Sequence, residues 1–160
     1  MYSIGDKIVY PMYGAGVIEA LEERVVDDNV STYYVLRIAG GNLKIYISTK
    51  KIDKLGIRKV HSPEKLLDII SNADKIEMSN NWTQRYKDNS QIIKSGELKS
   101  IAQVYKTLLI RQKKKCLSSG EKRMLGNIKQ IIVSEIVLAD NMEKAKAEKY
   151  LDEIVLADVV

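Results

Sequence analysis

A chain of 160 residues with 45% hydrophobic and 29% charged residues has the make-up of a folded globular protein, not of a disordered tail. Its apolar runs are short and its first residues lack a basic stretch followed by an apolar one, so neither a transmembrane span nor a signal peptide is expected. The lone cysteine, Cys116, has no partner for an internal disulfide, which agrees with a reducing cytoplasm, and the net charge of +5 calls for its distribution to be traced along the chain.

The first 55 or so residues read as short strands. Lys7-Ile8-Val9-Tyr10 is apolar and closed by Pro11, which cannot donate to a ladder and so marks a strand end or edge. Gly14-Ala15-Gly16 supplies a flexible turn, Val17 to Leu21 a second strand, and Asp27-Asp28-Asn29 another turn. Ser31 to Ile38 is dense in Tyr, Val, Leu and Thr, as a strand requires. After Gly40-Gly41-Asn42, the stretch Leu43 to Ile47 alternates, with Leu43, Ile45 and Ile47 on one face and Lys44 and Tyr46 on the other. Four or five strands of this length suit a small, strongly bent SH3- or Tudor-like barrel.

The period turns helical from residue 62. Ser62 caps a helix that begins at Pro63 and carries Leu66, Leu67, Ile69 and Ile70. A second helix starts near Ser79–Trp82 and stops before Gly96, and a third runs from about Glu97 to Lys113. Ser118-Ser119-Gly120-Glu121 has capping-box spacing and opens a fourth helix with Met124, Leu125, Ile128, Ile131 and Ile132. Asp140-Asn141-Met142-Glu143 repeats that logic before a fifth, which carries Tyr150, Leu151, Ile154 and Val155. The expectation is an α+β chain of two domains, a β-barrel over residues 1–57 and an all-α domain of about five helices over 58–160.

Charge separates along the same line. Residues 1–57 and 58–81 are each neutral, 82–129 hold twelve Lys/Arg against three Asp/Glu, a net of +9, and 130–160 carry −4. A basic excess confined to one helical block points to a polyanion-binding face, against the plainer alternative of a Lys-rich solvated surface. Lys113, Lys114 and Lys115, together with Arg85 and Lys87, suit phosphate contacts that give affinity without sequence reading. The polar helix start at Gly120-Glu121-Lys122-Arg123 is a second phosphate site, with Lys122 and Arg123 as its cations. Trp82, the only tryptophan, either anchors its helix in the core or stands out to pack against a base; residue type alone favours the anchor.

Catalysis has little support. His61, the only histidine, reads as a surface or capping-region residue, Cys116 as a small packing residue, and no phosphate loop or dinucleotide fingerprint is present. Neither a cofactor, a metal nor a small-molecule substrate is expected. Set against the nucleic-acid reading of the helical block is a general nucleic-acid binder, of DNA or RNA, whose barrel touches the ligand; the zero net charge of residues 1–57 speaks against it.

Three blocks, Asn81 to Asn89, Leu117 to Leu125, and Ala145 to Glu148 with Leu151-Asp152-Glu153, resemble the C-terminal domain of the CarD family of bacterial transcription regulators. The opening Gly5 to Pro11 with Gly14-Ala15-Gly16 resembles that family's Tudor-like N-terminal domain, a module shared with transcription-repair coupling factors. The resemblance implies that the first domain binds the RNA polymerase β subunit through an arginine matching Arg24. A second basic contact of the pattern falls at Tyr46, a departure that leaves Lys44, on the same predicted face, as the available cation. It implies too that Trp82 is a minor-groove wedge in promoter DNA at the upstream edge of the transcription bubble. Arg85, Tyr86 and Lys87 then form its flank, and Gln84 takes a position that can be basic elsewhere. A non-enzymatic, monomeric, cytoplasmic and nucleoid-associated regulator is the expectation.

Overall fold

The residues rich in β-branched and aromatic side chains form one antiparallel sheet in a computed structural model that describes residues 1–159. Its strands are β1 (Lys7–Tyr10), β2 (Gly14–Val26), β3 (Asn29–Ile38), β4 (Lys44–Ser48) and β5 (Arg58–Lys59), in the order β4-β3-β2-β1-β5. A bulge between Ile18 and Ala20 shifts the β2–β3 register, which bends and twists the strand. The ladder joins β5 to β1 and β4 to β3, so the sheet is open between its two ends and does not make the closed barrel expected from strand length. Ile8, Ile18, Leu36, Ile47 and Ile52 fill its concave core. The strand-forming stretch runs to Lys59, beyond the change of character expected at residue 57.

Two strand assignments differ from expectation. Gly14-Ala15-Gly16 is not a turn: it opens β2 and pairs with Tyr10, Val9 and Ile8. The turn falls just before, where Met12 takes a positive φ of 76°. β2 also runs on through Glu22-Glu23-Arg24 to Val26, and Asp27 and Asp28, both at positive φ, close a two-residue hairpin. The outer half of that hairpin carries Leu21, Val25, Val26 and Val30, all exposed.

Five helices follow: α1 (Pro63–Ser71), α2 (Trp82–Ser95), α3 (Leu98–Lys114), α4 (Ser119–Asp140) and α5 (Lys144–Val155). Ser62 caps α1, its Oγ accepting from Lys65 N at 3.2 Å. Asp140-Asn141-Met142-Glu143 is a stop, not a capping box. Asn141 ends α4 in the left-handed region, and Glu143 precedes α5 without a side-chain cap bond. Ile101, Tyr105, Leu108, Ile128, Ile132, Ile136 and Leu151 form a second core, separate from that of the sheet. Among the described residues no helix is long and apolar enough to cross a membrane.

The two cores meet along α4. Ser134 Oγ accepts from Ala15 N at 2.8 Å and donates to Ile131 O, while Lys7 Nζ donates to Leu138 O. Gly14 permits this approach: a Cβ there would lie 2.6 Å from Ser134 Oγ, on a backbone at φ +114°.

Candidate nucleic-acid and protein interface

The start of α2 is built to project an aromatic. Asn81 is the cap, its Oδ1 accepting from Thr83 N at 3.0 Å and Gln84 N at 3.1 Å, and Trp82 follows as the first helical residue. Trp82 is 57% exposed, so the core-anchor alternative does not hold and the indole stands in solvent. Tyr86, one turn on, is also exposed, its ring 3.6 Å from where a Cβ of Gly120 would stand, which brings the first turns of α2 and α4 side by side.

The expected phosphate contacts divide into two groups. Lys87, Lys113, Lys114, Lys115, Lys122 and Arg123 are all exposed. A groove of about 440 Å³ is lined by two of them, Lys114 and Lys115, together with Lys75, Asn80 and Arg111, which places the end of α3 against the segment leading to Trp82. Arg85 belongs to the other group and is not the phosphate contact expected from its place beside Lys87: it is 4% exposed and turned inward. Its Nε and Nη2 donate to the two carboxylate oxygens of Glu121 at 2.8 and 2.9 Å, and its Nη1 donates to Ser79 O. Buried and paired in this way, its guanidinium cannot reach a phosphate. Lys106 is likewise spent on Ala73 O and Asp158, and Lys129 on Asp152, so the basic block offers fewer free cations than its net charge suggests.

Glu121, 2% exposed, does more than complete a capping box. Ser118 Oγ accepts from its backbone N and donates to its Oε1, while Arg85 takes both oxygens. Hydrogen bonds from the Arg85 guanidinium hold its carboxyl below the usual carboxylate range. Glu135, 1% exposed on the same helix, is a residue that sequence reasoning missed. It accepts from Arg58 Nη1 and Nη2, both at 2.8 Å, and from His61 N at 2.9 Å. Burial alone would raise this carboxyl, but Arg58 and the His61 amide outweigh it and hold it low. His61 is therefore part of the seam between sheet and helices, with Nδ1 3.0 Å from Glu135, and is not a free surface histidine. Cys116 is exposed rather than a packing residue.

On the sheet, Arg24 and Tyr46 are brought together from β2 and β4. The guanidinium lies 3.9 Å from the ring centroid, so the departure at Tyr46 is filled by a cation–π pair. Arg24 also lies 3.6 Å from Glu22 and is half-exposed. Lys44 is engaged elsewhere: its Nζ is 2.8 Å from Glu19 Oε1, and Arg37 holds the other oxygen at 2.7 Å.

These two modules match two family models. Residues 2–61 match the CarD-like/TRCF RID domain, and residues 65–152 match the C-terminal domain of CarD. The class so defined is that of transcription regulators pairing a small sheet module with a helical one. The chain belongs to the CarD family. It is 35% identical over 153 residues to the Bacillus subtilis (strain 168) protein named "Putative transcription factor YdeB", covering 94% of this chain and 99% of that protein.

Proposed function

We propose that this regulator binds the RNA polymerase β subunit through its sheet module and stabilises the open promoter complex through its helical module. The sheet module, to about residue 59, presents Arg24 stacked on Tyr46 beside the exposed apolar hairpin. The helical module holds duplex phosphates with Lys87, Lys113, Lys114, Lys115, Lys122 and Arg123, without reading sequence. Trp82 enters the minor groove at the upstream edge of the bubble, where a base step is already unstacking. The observation that carries this reading is the exposure of Trp82 at a capped helix start, with the exposed Lys87 further along the same helix.

The energetics are modest and sufficient. Polymerase tethering raises the local concentration of the helical module, so weak DNA affinity suffices. Only contacts stronger in the open than in the closed promoter shift the equilibrium. A difference of about 1–2 kcal/mol changes the open population roughly 5- to 30-fold. The test is the lifetime of promoter complexes challenged with a polyanion competitor: the protein is expected to lengthen it severalfold, and no change would overturn the reading.

A further inference from the structure

The two most deeply buried acidic side chains of α4 each grip an arginine from a different functional module. Glu121 takes both hydrogen-bonding edges of Arg85, three residues after Trp82, and Glu135 takes those of Arg58, on the sheet strand paired with β1. The two glutamates are fourteen positions apart on one unbroken helix. At the rise and turn of an α-helix that is about 21 Å and close to four turns, so their side chains leave α4 within about 40° of one direction. We propose that α4 is a strut, with Glu121 and Glu135 as positioning residues that fix Trp82 relative to the polymerase-binding sheet. The proposal rests on the functional reading above and adds the device that sets its geometry.

Each end of the strut is fixed by more than one bond. At the first, Arg85 Nη1 donates to Ser79 O, so the segment entering α2 is tied to α4 together with the helix that carries Trp82. Ser118 Oγ holds Glu121 Oε1 from the other side. At the second, Glu135 receives Arg58 and the His61 amide, with the His61 Nδ1 3.0 Å away, and Ser134 beside it receives Ala15 N. Bidentate guanidinium–carboxylate pairs fix orientation as well as distance, which a lysine cannot do. Buried pairs are a weak source of net stability compared with apolar packing, and their best-attested use is to specify one arrangement. A wedge that must meet one base step while its tether sits on polymerase needs such an arrangement, since a small misplacement loses the contact.

A distance measurement in the full chain tests this without polymerase or DNA. A spin label on the native, exposed Cys116 reports the helical module, and a second on Lys50→Cys, an exposed site, reports the sheet. The parent protein should give one narrow distance distribution, and Glu135→Gln a broadened one. Arg58→Lys, which keeps the charge and loses the two-pronged geometry, serves as the second variant and should broaden it too. In promoter complexes both variants should shorten the open-complex lifetime severalfold while polymerase affinity and duplex affinity, measured separately, stay within twofold of the parent. A distribution as narrow in both folded variants as in the parent overturns the strut. So does a broadened distribution with an undiminished lifetime, in a protein whose lifetime depends on Trp82. Loss of polymerase binding by the parent, or indifference of its lifetime to Trp82, contradicts the functional reading instead, and the distance result then still decides whether Glu135 holds the modules together.

Discussion

Arg85 and Glu121 face each other across the first turns of α2 and α4 with both guanidinium–carboxylate distances below 3 Å, and neither side chain is open to solvent. Arg85 and Lys87 are two residues apart and both basic, yet the first is structural and the second is free. Arg85→Ala leaves the Glu121 carboxylate buried without its partner and should cost about 3–5 kcal/mol. Lys87→Ala should change stability by no more than about 0.5 kcal/mol and weaken duplex binding. Urea unfolding and duplex titration on the two variants check the contrast.

Duplex affinity should fall steeply with salt. If Lys87, Lys113, Lys114, Lys115, Lys122 and Arg123 all meet phosphates, the six contacts give a slope of log affinity against log salt near −5, or about a thousandfold loss between 50 and 200 mM. Lys75 and Arg111, in the adjoining groove, would steepen it if the backbone reaches them. Fluorescence anisotropy across a salt series measures the slope, and affinity should not depend on duplex sequence.

Arg24→Glu should abolish polymerase binding and leave duplex binding as it was. The side chain is half-exposed and its partner Tyr46 is on the surface, so the fold loses only a surface stacking contact. Capture of the polymerase β subunit and duplex titration on the same preparation, with circular dichroism to confirm folding, separate the two activities.

Acid should loosen both ends of α4. Glu121 and Glu135 have folded pKa values below the usual carboxylate value, so the unfolded chain binds their protons more readily. Their contribution is complete above the unfolded pKa of about 4.3 and is lost as pH falls through the lower folded values. The melting temperature of the parent should therefore drop more steeply from about pH 5 to about pH 3 than that of a Glu121→Gln/Glu135→Gln variant. That variant should melt lower at neutral pH and show a flatter profile, which calorimetry across pH resolves.

Period and composition made the order of elements legible: Ser62 before Pro63, the Ser118 cap and the apolar faces of α3 and α4 lie where the pattern points, whereas β2 starts earlier, at Gly14, and ends later, at Val26, than its apolar run Val17–Leu21 indicates. Closure of the sheet was not legible, because strand length does not say whether the terminal strands pair with each other. The Asp140-Asn141 stop has the composition of a cap, and only the left-handed conformation of Asn141 tells the two apart. At the site, cationic residues were visible as a block, but which of them face inward depends on partners far along the chain. Glu121 is 36 residues from Arg85 and Glu135 is 77 from Arg58, separations at which no local spacing carries a signal. Trp82 was legible as an outlier among polar neighbours, but its exposure was not, because residue type alone favours a buried indole.

The central claim, that Trp82 acts only where bases unstack, is tested most directly by open-complex lifetime on a Trp82→Ala protein whose thermal stability is measured from the same preparation. The indole is more than half exposed, so its removal should leave the melting temperature nearly unchanged, in contrast to the roughly 3–5 kcal/mol lost when a buried tryptophan is truncated. Polymerase affinity should be unaltered and duplex affinity only slightly lower, since the lysines still hold phosphates. The lifetime of the open complex should fall severalfold toward that of polymerase alone. A folded Trp82→Ala protein that sustains the parent lifetime would contradict the account.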